Sequence, residues 1–416
     1  MWQDEDGNFR DPALDGYAPP TKETRHLNRR KHSKSPENLE SLRQQLQTFY
    51  PQFHDELERS ALLHESEYDY PDTCSKNTLL RAHIQMTRLR EMDMILQNAQ
   101  RQGRISFYMT CRGEEAIHIG SASALEREDV VLAQYREAGL LMWRGFTLEQ
   151  FTNQCFSNDR DLGKGRQMPV HYGSRALNFH TISSPLGTQL PQAVGVAYHL
   201  KLQQKNQVAV CFFGDGCAST TDFHSACNFA ATLCVPLLFI CRNNGYAIST
   251  PVTEQYAGDG IVSRAPGYGM AGIRVDGNDI FAVHEAVRAA KEYSLSHCAP
   301  VMLEMMTYRQ GHHSTSDDST RYRDKEEVHM YQQHGDPIKR LDALLKNQNL
   351  VDDSWLMTSR DKEKLAVLQA MEAAEQRPDP PLEALFEDVY EKVPLHLQRQ
   401  EAQLRQHMAK YPKRYS

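Results

Sequence analysis

From Leu79 onward the chain alternates between two hydrophobic rhythms. LLRAHIQMTRLREMDMILQNAQ, starting at Leu79, repeats apolar residues at three- and four-residue intervals and predicts a long amphipathic helix. Short apolar runs follow: VVLAQ (Val130 to Gln134), VAVCFF (Val208 to Phe213), VPLLFIC (Val235 to Cys241), IRV (Ile273 to Val275) and VMLEMM (Val301 to Met306). Each has the length and near-continuous apolarity of a strand buried on both faces. The intervening QLPQAVGVAYHLKLQQ, DFHSACNFAATL and FAVHEAVRAAKEYSLSH have helical spacing. Strand and helix in alternation predict an α/β fold, an open and mostly parallel sheet with helices on both faces. Such sheets bind ligands beyond the carboxyl ends of their strands, so the chemistry is sought in the loops there.

The rhythm stops at both ends. Residues 1–75 are polar and broken by prolines, with six Lys/Arg between Lys22 and Lys34, and read as an N-terminal arm, either mobile or docking a partner. Residues 76–345 form the expected α/β domain. Residues 346–416 read as a C-terminal helical segment interrupted by RPDPP at Arg377 to Pro381.

Composition narrows the class. With 416 residues, 40% hydrophobic and 24% charged, the chain can bury one large core or two smaller ones. A net charge of −7 argues against bulk attraction to nucleic acid or to an anionic membrane surface. No apolar run is long enough for a membrane span. The nine cysteines are odd in number and never spaced as CxxC, which favours reduced thiols over a disulfide framework or a zinc site. The beginning, MWQDEDGNF, is acidic and lacks an apolar core, unlike a secretory signal or an Arg-rich transit peptide.

Three strand ends carry dense polar sequence. GDG (Gly214 to Gly216) follows VAVCFF, and RNNGYAIST (Arg242 to Thr250) follows VPLLFIC. Small residues let backbone amides approach a diphosphate, while the Asp215 carboxylate and the Asn244 amide offer hard oxygens to magnesium. Either segment alone could be a plain turn; one helix and one strand apart, they predict a magnesium–diphosphate cradle. No GxxxxGK[ST] is present, and Ser219 stands where the third small residue of a dinucleotide fingerprint belongs, so an NAD-dependent dehydrogenase is poorly supported. The third loop, RQGHHSTSDDSTRYR (Arg309 to Arg323), follows VMLEMM. Its adjacent histidines are compatible with an acid/base pair, a metal site or a solvated turn.

GDG followed by NN resembles the thiamine diphosphate motif. GRISFYMT, EDVVLAQYREAG, DLGKGRQMPVHYG, HTISSPLGTQLPQA, CRNNGYAISTP, EQYAGDGI, RVDGNDIFAV, TYRQGHHSTSDDS and LFEDVYEKVP together resemble the alpha subunits of the decarboxylase component of branched-chain 2-oxo acid dehydrogenase complexes, from about Gln100 through Pro394. The arm before residue 76 does not resemble that family's usual beginning.

The resemblance implies a thiamine diphosphate-binding fold and a set of site residues. Asp215, Asn244 and the carbonyl of Tyr246 would hold Mg2+, and Gly214 would lie on the cofactor. Tyr135, Arg136, Arg242 and His313 would contact the diphosphate, since a planar guanidinium grips phosphate through paired hydrogen bonds. Ser183, the Pro185 carbonyl, Thr188 and Gln189 would hold K+, with Ser184 and Leu186 facing the cofactor. Phe107 and Tyr135 would line the substrate pocket. His313 would be the catalytic histidine, and Ser314 the serine that a regulatory kinase and phosphatase act on; Asp324 stands where several relatives have a second such serine.

The implied reaction is oxidative decarboxylation of branched 2-oxo acids, in breakdown of valine, leucine and isoleucine, with the acyl group passed to the lipoyl group of an acyltransferase core. The implied assembly is an alpha-two beta-two heterotetramer in which the beta subunit completes the active site. The implied location is the mitochondrial matrix, or the cytoplasm for a bacterial member. ISSPLGTQ disfavours the alternative of a pyruvate or acetoin dehydrogenase alpha subunit; a catalytically silent regulatory paralogue is the remaining alternative.

Overall fold

The computed structural model describes residues 76–415 and the strands Trp2–Gln3 and Phe9–Arg10. Those two strands pair antiparallel within a unit of residues 1–54. The rest of the expected arm, including the basic cluster between Lys22 and Lys34, lies outside the described residues.

The remaining described residues build a five-stranded sheet from β1 (Val130–Leu132), β2 (Ala209–Gly214), β3 (Leu237–Asn243), β4 (Ala271–Asp276) and β5 (Val301–Met306). Its order is β1-β2-β3-β5-β4 and every pairing is parallel. The apolar runs predict these strands to within a few residues, and the expected α/β architecture holds. β3 is buried along its whole length, as a central strand with helices over both faces must be.

The period of two along the strands feeds two packing layers. Ala209, Cys211 and Phe213 of β2 and Leu237, Phe239 and Cys241 of β3 enter one apolar cluster with helices at Gln189–Leu202 and Thr221–Leu233. The alternate residues Val210, Phe212, Leu238 and Ile240 are equally buried. A helix at Ile280–His297 packs against β3, β4 and β5, and also against a helix at Glu115–Ala124. The long first helix, Lys76–Arg101, buries Leu79, Ala82 and Met86 against Ala116, Ile119 and the helix Pro337–Asn347. Helix starts carry the expected caps: the Asp279 side chain accepts from the amides of Phe281 and Ala282, and Asp336 does the same for Ile338 and Lys339 beside Pro337.

After the RPDPP break, helix Leu395–Lys410 has no buried residue, whereas Asp353–Glu375 packs on Lys76–Arg101 and on Leu148–Cys155 and buries Val367, Met371 and Ala374. Among the described residues no helix is long and apolar enough to cross a membrane, and every cysteine is free.

Candidate active site

The register of the sheet sets the site. Gly214 of β2 pairs with Arg242 of β3, and Asn243 pairs with Met306 of β5, so GDG, NNGY and the histidine loop leave the same sheet edge side by side. Beyond it, Thr307 N donates to the Asn243 carbonyl at 2.9 Å. A Cβ at Gly216 would sit 2.8 Å from the Ala247 Cβ, so the first loop needs glycine to lie against the second.

The strand ends bury an unusual amount of charge. Arg136, Arg242 and Arg309 are 2%, 1% and 1% exposed. Arg242 Nη1 donates to Glu114 at 2.7 Å and its Nε donates to Glu137. Burial alone would raise the Glu114 carboxyl, but Arg242 and then Arg136 overcome it and hold the group below the usual carboxylate range. Arg136 gives its hydrogen bonds to the carbonyls of Thr110 and His313, and Arg309 donates to the Ile248 carbonyl at 2.8 Å and the Tyr322 hydroxyl at 3.1 Å. Neither guanidinium has a carboxylate partner among the described residues. Two buried cations without an ion-pair partner, with Arg242 Nη2 also unpartnered, make a site suited to a multiply charged anion such as a diphosphate.

The metal candidates face the opposite electrostatic problem. Asp215 is 1% exposed, and the Gln255 amide donates to its Oδ2 at 2.9 Å. Burial raises its carboxyl above the usual range. A buried carboxylate short of positive charge, near an asparagine amide oxygen and a backbone carbonyl, is an all-oxygen donor set that fits a hard divalent cation. Asn244 Nδ2 is spent on Glu114 at 2.8 Å, while its Oδ1 accepts the Tyr246 amide at 3.3 Å. The Tyr246 carbonyl accepts only a long 3.5 Å hydrogen bond from Arg309.

ISSPLGTQ forms a compact oxygen-rich turn. Thr188 Oγ1 lies 3.2 Å from the Pro185 carbonyl and 3.5 Å from Ser183 Oγ. Gln189 points inward instead, its amide nitrogen donating to the Phe212 carbonyl at 3.2 Å. Ser184 hydrogen-bonds His171 Nε2, and Leu186 remains 41% exposed. Gly187 has φ +93°, and a Cβ there would meet Thr220 Oγ1 at 2.5 Å, so this turn requires glycine.

His313 sits edge-on to Tyr135 with ring centroids 6.1 Å apart, and its Nδ1 is 3.3 Å from Arg136 Nη2. Burial first, then Arg136 and Arg309, push its pKa down to about 3, so the ring is neutral near pH 7. Asp317 anchors it by accepting the His313 amide at 2.7 Å and the Tyr322 hydroxyl. His312 turns away and bonds Ser319 Oγ at 2.9 Å, so the two histidines do not form a pair. Among the described residues no cluster of three or more His, Cys, Asp or Glu could hold a metal. Phe107 is half-buried rather than part of the core.

The structure thus brings Tyr135, Arg136, Arg242, Asn244, Tyr246 and His313 into one connected network, with Asp215 on the adjoining loop. Ser183, Pro185 and Thr188 form a separate cluster. Glu114, Glu137, Arg309, His171, Gln255, Asp317 and Tyr322 are organising residues that sequence reasoning did not assign. Glu114 and Glu137 directly precede helices, where an acid reads as ordinary first-turn chemistry.

Buried cations and an all-oxygen donor set at the carboxyl edge of a parallel sheet describe an anion- and cofactor-binding α/β enzyme site, and residues 84–383 match the family described as dehydrogenase E1 component. The chain belongs to that family, whose members depend on thiamine diphosphate. It is 52% identical over 340 residues to the human mitochondrial 2-oxoisovalerate dehydrogenase subunit alpha, covering 82% of this chain and 76% of the human one. The Caenorhabditis elegans protein of that name is 53% identical over 341 residues, covering 82% and 79% of the two chains. Subunit alpha 1 from Arabidopsis thaliana is 52% identical over 347 residues, covering 82% and 72%.

Proposed function

We propose that this chain is the alpha subunit of a branched-chain 2-oxo acid dehydrogenase of the mitochondrial matrix, acting with a beta subunit in an alpha-two beta-two assembly and passing its acyl product to a lipoyl-bearing acyltransferase core. Identity above 50% to alpha subunits of animals and a plant, together with the network around His313, carries the reading.

Thiamine diphosphate, when bound, supplies the electron sink for losing carbon dioxide from a 2-oxo acid. This chain's residues hold and orient it. Arg136, Arg309 and the free Nη2 of Arg242 neutralise the diphosphate. Asp215, the Oδ1 of Asn244 and the Tyr246 carbonyl hold Mg2+, and Gly214 lets backbone approach. Ser183, the Pro185 carbonyl and Thr188 hold K+ through neutral oxygens, with Gln189 as the fourth oxygen if its side chain turns from the Phe212 carbonyl. Ser184 and Leu186 face the cofactor, and Phe107 and Tyr135 border the substrate. His313, a neutral imidazole near pH 7 with a proton on one ring nitrogen, would donate that proton in a hydrogen bond and take it back as the acyl group moves to the lipoyl arm. Ser314 is the position at which a kinase and phosphatase would act.

Co-expression with a cognate beta subunit, followed by thiamine diphosphate- and Mg2+-dependent decarboxylation of 3-methyl-2-oxobutanoate against pyruvate, tests the assignment. Preference for the branched acid is expected. A stable, cofactor-loaded assembly that turns over neither acid would leave only the silent paralogue, and preference for pyruvate would reassign the substrate.

A further inference from the structure

A cavity of about 400 Å³ is lined by none of the residues assigned above to cofactor, metal or substrate. It lies between the helix Lys76–Arg101, the segment around Arg112, the loop Gln310 to Arg323 and the start of the helix Lys325–His334. Its volume falls within the range of small-molecule sites.

Its charge is one-sided. Arg90 is matched by Glu115 and Asp336 at 2.8 and 2.7 Å. Arg101, Arg112, Arg323 and Lys325 also line the cavity and have no carboxylate partner among the described residues. The carboxylate on its wall, Asp93, accepts from the Tyr108 hydroxyl and the Cys111 amide, and burial pushes its pKa up to about 7, which weakens its opposition to an anion. Arg101 and Lys325 are exposed at its mouth and Arg323 is buried in its wall, so four cations without a carboxylate partner favour an anion there.

Unpartnered buried atoms define the chemistry further. The Nε atoms of Arg112 and Arg323 are buried donors without an acceptor, while Gln310 Oε1 and Thr110 Oγ1 are buried and equally unpartnered. Gln310 and Thr110 are 5% and 6% exposed. Two guanidiniums and an ammonium suit a doubly charged phosphate better than a single carboxylate. The Gln310 oxygen needs a donor, which a phosphate dianion lacks and a hydroxyl supplies.

We propose that this cavity binds a small hydroxyl-bearing phosphate ester and that its occupancy steadies the histidine loop. The coupling is direct. Arg323 Nη2 donates to the Gly311 carbonyl at 2.6 Å and to Ser319 Oγ at 2.9 Å, and Gln310 N donates to the Arg112 carbonyl at 3.1 Å. A phosphate on the free edge of Arg323 therefore fixes a side chain that already ties both ends of the segment carrying His313. The site stands independently of the catalytic reading.

Ribose 5-phosphate, inorganic phosphate and ribose are titrated calorimetrically into the alpha–beta assembly loaded with thiamine diphosphate and Mg2+, which keeps the diphosphate site filled. Saturable binding is expected for ribose 5-phosphate, weaker binding for phosphate and none for ribose. Lys325→Glu on the surface should raise the dissociation constant about tenfold, and Arg112→Met with Lys325→Met about a hundredfold. Saturating ribose 5-phosphate should slow amide exchange across Gly311 to Arg323 in the native assembly and not in the double variant. No saturable binding, or binding unchanged in both variants, means an adventitious anion only and overturns the site; unchanged loop exchange at saturation overturns the coupling.

Discussion

Nδ2 of Asn244 donates a 2.8 Å hydrogen bond to Oε1 of Glu114, 130 positions earlier in the chain, and the other oxygen of that carboxylate takes Arg242 at 2.7 Å. One buried acid therefore aims a candidate metal ligand and a candidate diphosphate ligand together. Because the amide nitrogen is engaged, the Asn244 oxygen is turned toward the NNGY loop, the side a cation would approach.

Glu114→Gln removes the charge but keeps the volume. Arg242 retains Glu137, so the fold should survive with a loss of about 1–3 kcal/mol. The dissociation constant of thiamine diphosphate should rise about tenfold or more, because the amide can no longer accept from both partners. Cofactor titration by fluorescence quenching, alongside thermal unfolding, separates the two effects. A stability loss with unchanged cofactor affinity would make Glu114 a purely structural acid.

Asp215 is buried with its carboxyl raised by burial, so it gains most from a cation. Mg2+ with thiamine diphosphate should raise the unfolding midpoint of the assembly, by an amount reflecting about 2.7 kcal/mol at a hundredfold excess over Kd. Asp215→Ala should abolish that shift, and chelation with EDTA should reproduce the variant's behaviour in the native protein. Equal shifts in both proteins would remove Asp215 from the metal site.

His118 is fully buried, both ring nitrogens lack partners, and burial lowers its pKa to about 3. The folded state keeps it neutral while the unfolded chain protonates it below its ordinary value of 6.5. A depressed pKa gives stability that is present above 6.5 and is lost as pH falls toward 3, with a slope of about 1.4 kcal/mol per pH unit. Urea unfolding at a series of pH values should show this acid loss, and His118→Gln should flatten it by about one proton. An unchanged slope in the variant would assign the acid lability to other groups.

The Ser314 hydroxyl accepts the Ser316 amide at 3.3 Å, one turn from the Asp317 that anchors His313. Negative charge at Ser314 would oppose Asp317 and Asp318 and pull the loop from its anchor. Ser314→Glu should lower overall complex activity sharply, with Ser314→Ala near the native rate. Asp317→Asn, which weakens the anchor directly, should mimic the glutamate while leaving the unfolding free energy within about 1 kcal/mol of native. Full activity in Ser314→Glu would dismiss the switch.

Much of this was legible in the chain. VAVCFF, VPLLFIC and VMLEMM show strands because a strand between two helical layers must be apolar at nearly every position, and GDG, NNGY and the histidine loop follow them directly. The organising carboxylates were not legible. Glu114 and Glu137 look like ordinary acids at helix starts, and only the fold brings them to Arg242 in β3. His312 and His313 are likewise equivalent in sequence, and diverge once Ser319 holds one and Arg136 faces the other.

The sequence by itself determined the α/β layering, the parallel strands and the loops that bear chemistry, because local periodicity and apolar run length are set by neighbouring residues and need no distant partner. Tertiary structure decided which buried charges offset one another, which histidine lies in the site, and where four cations gather without a carboxylate partner. Those outcomes depend on distances between residues far apart in the chain, and Coulomb and desolvation energies in a buried site change by several kcal/mol with such distances.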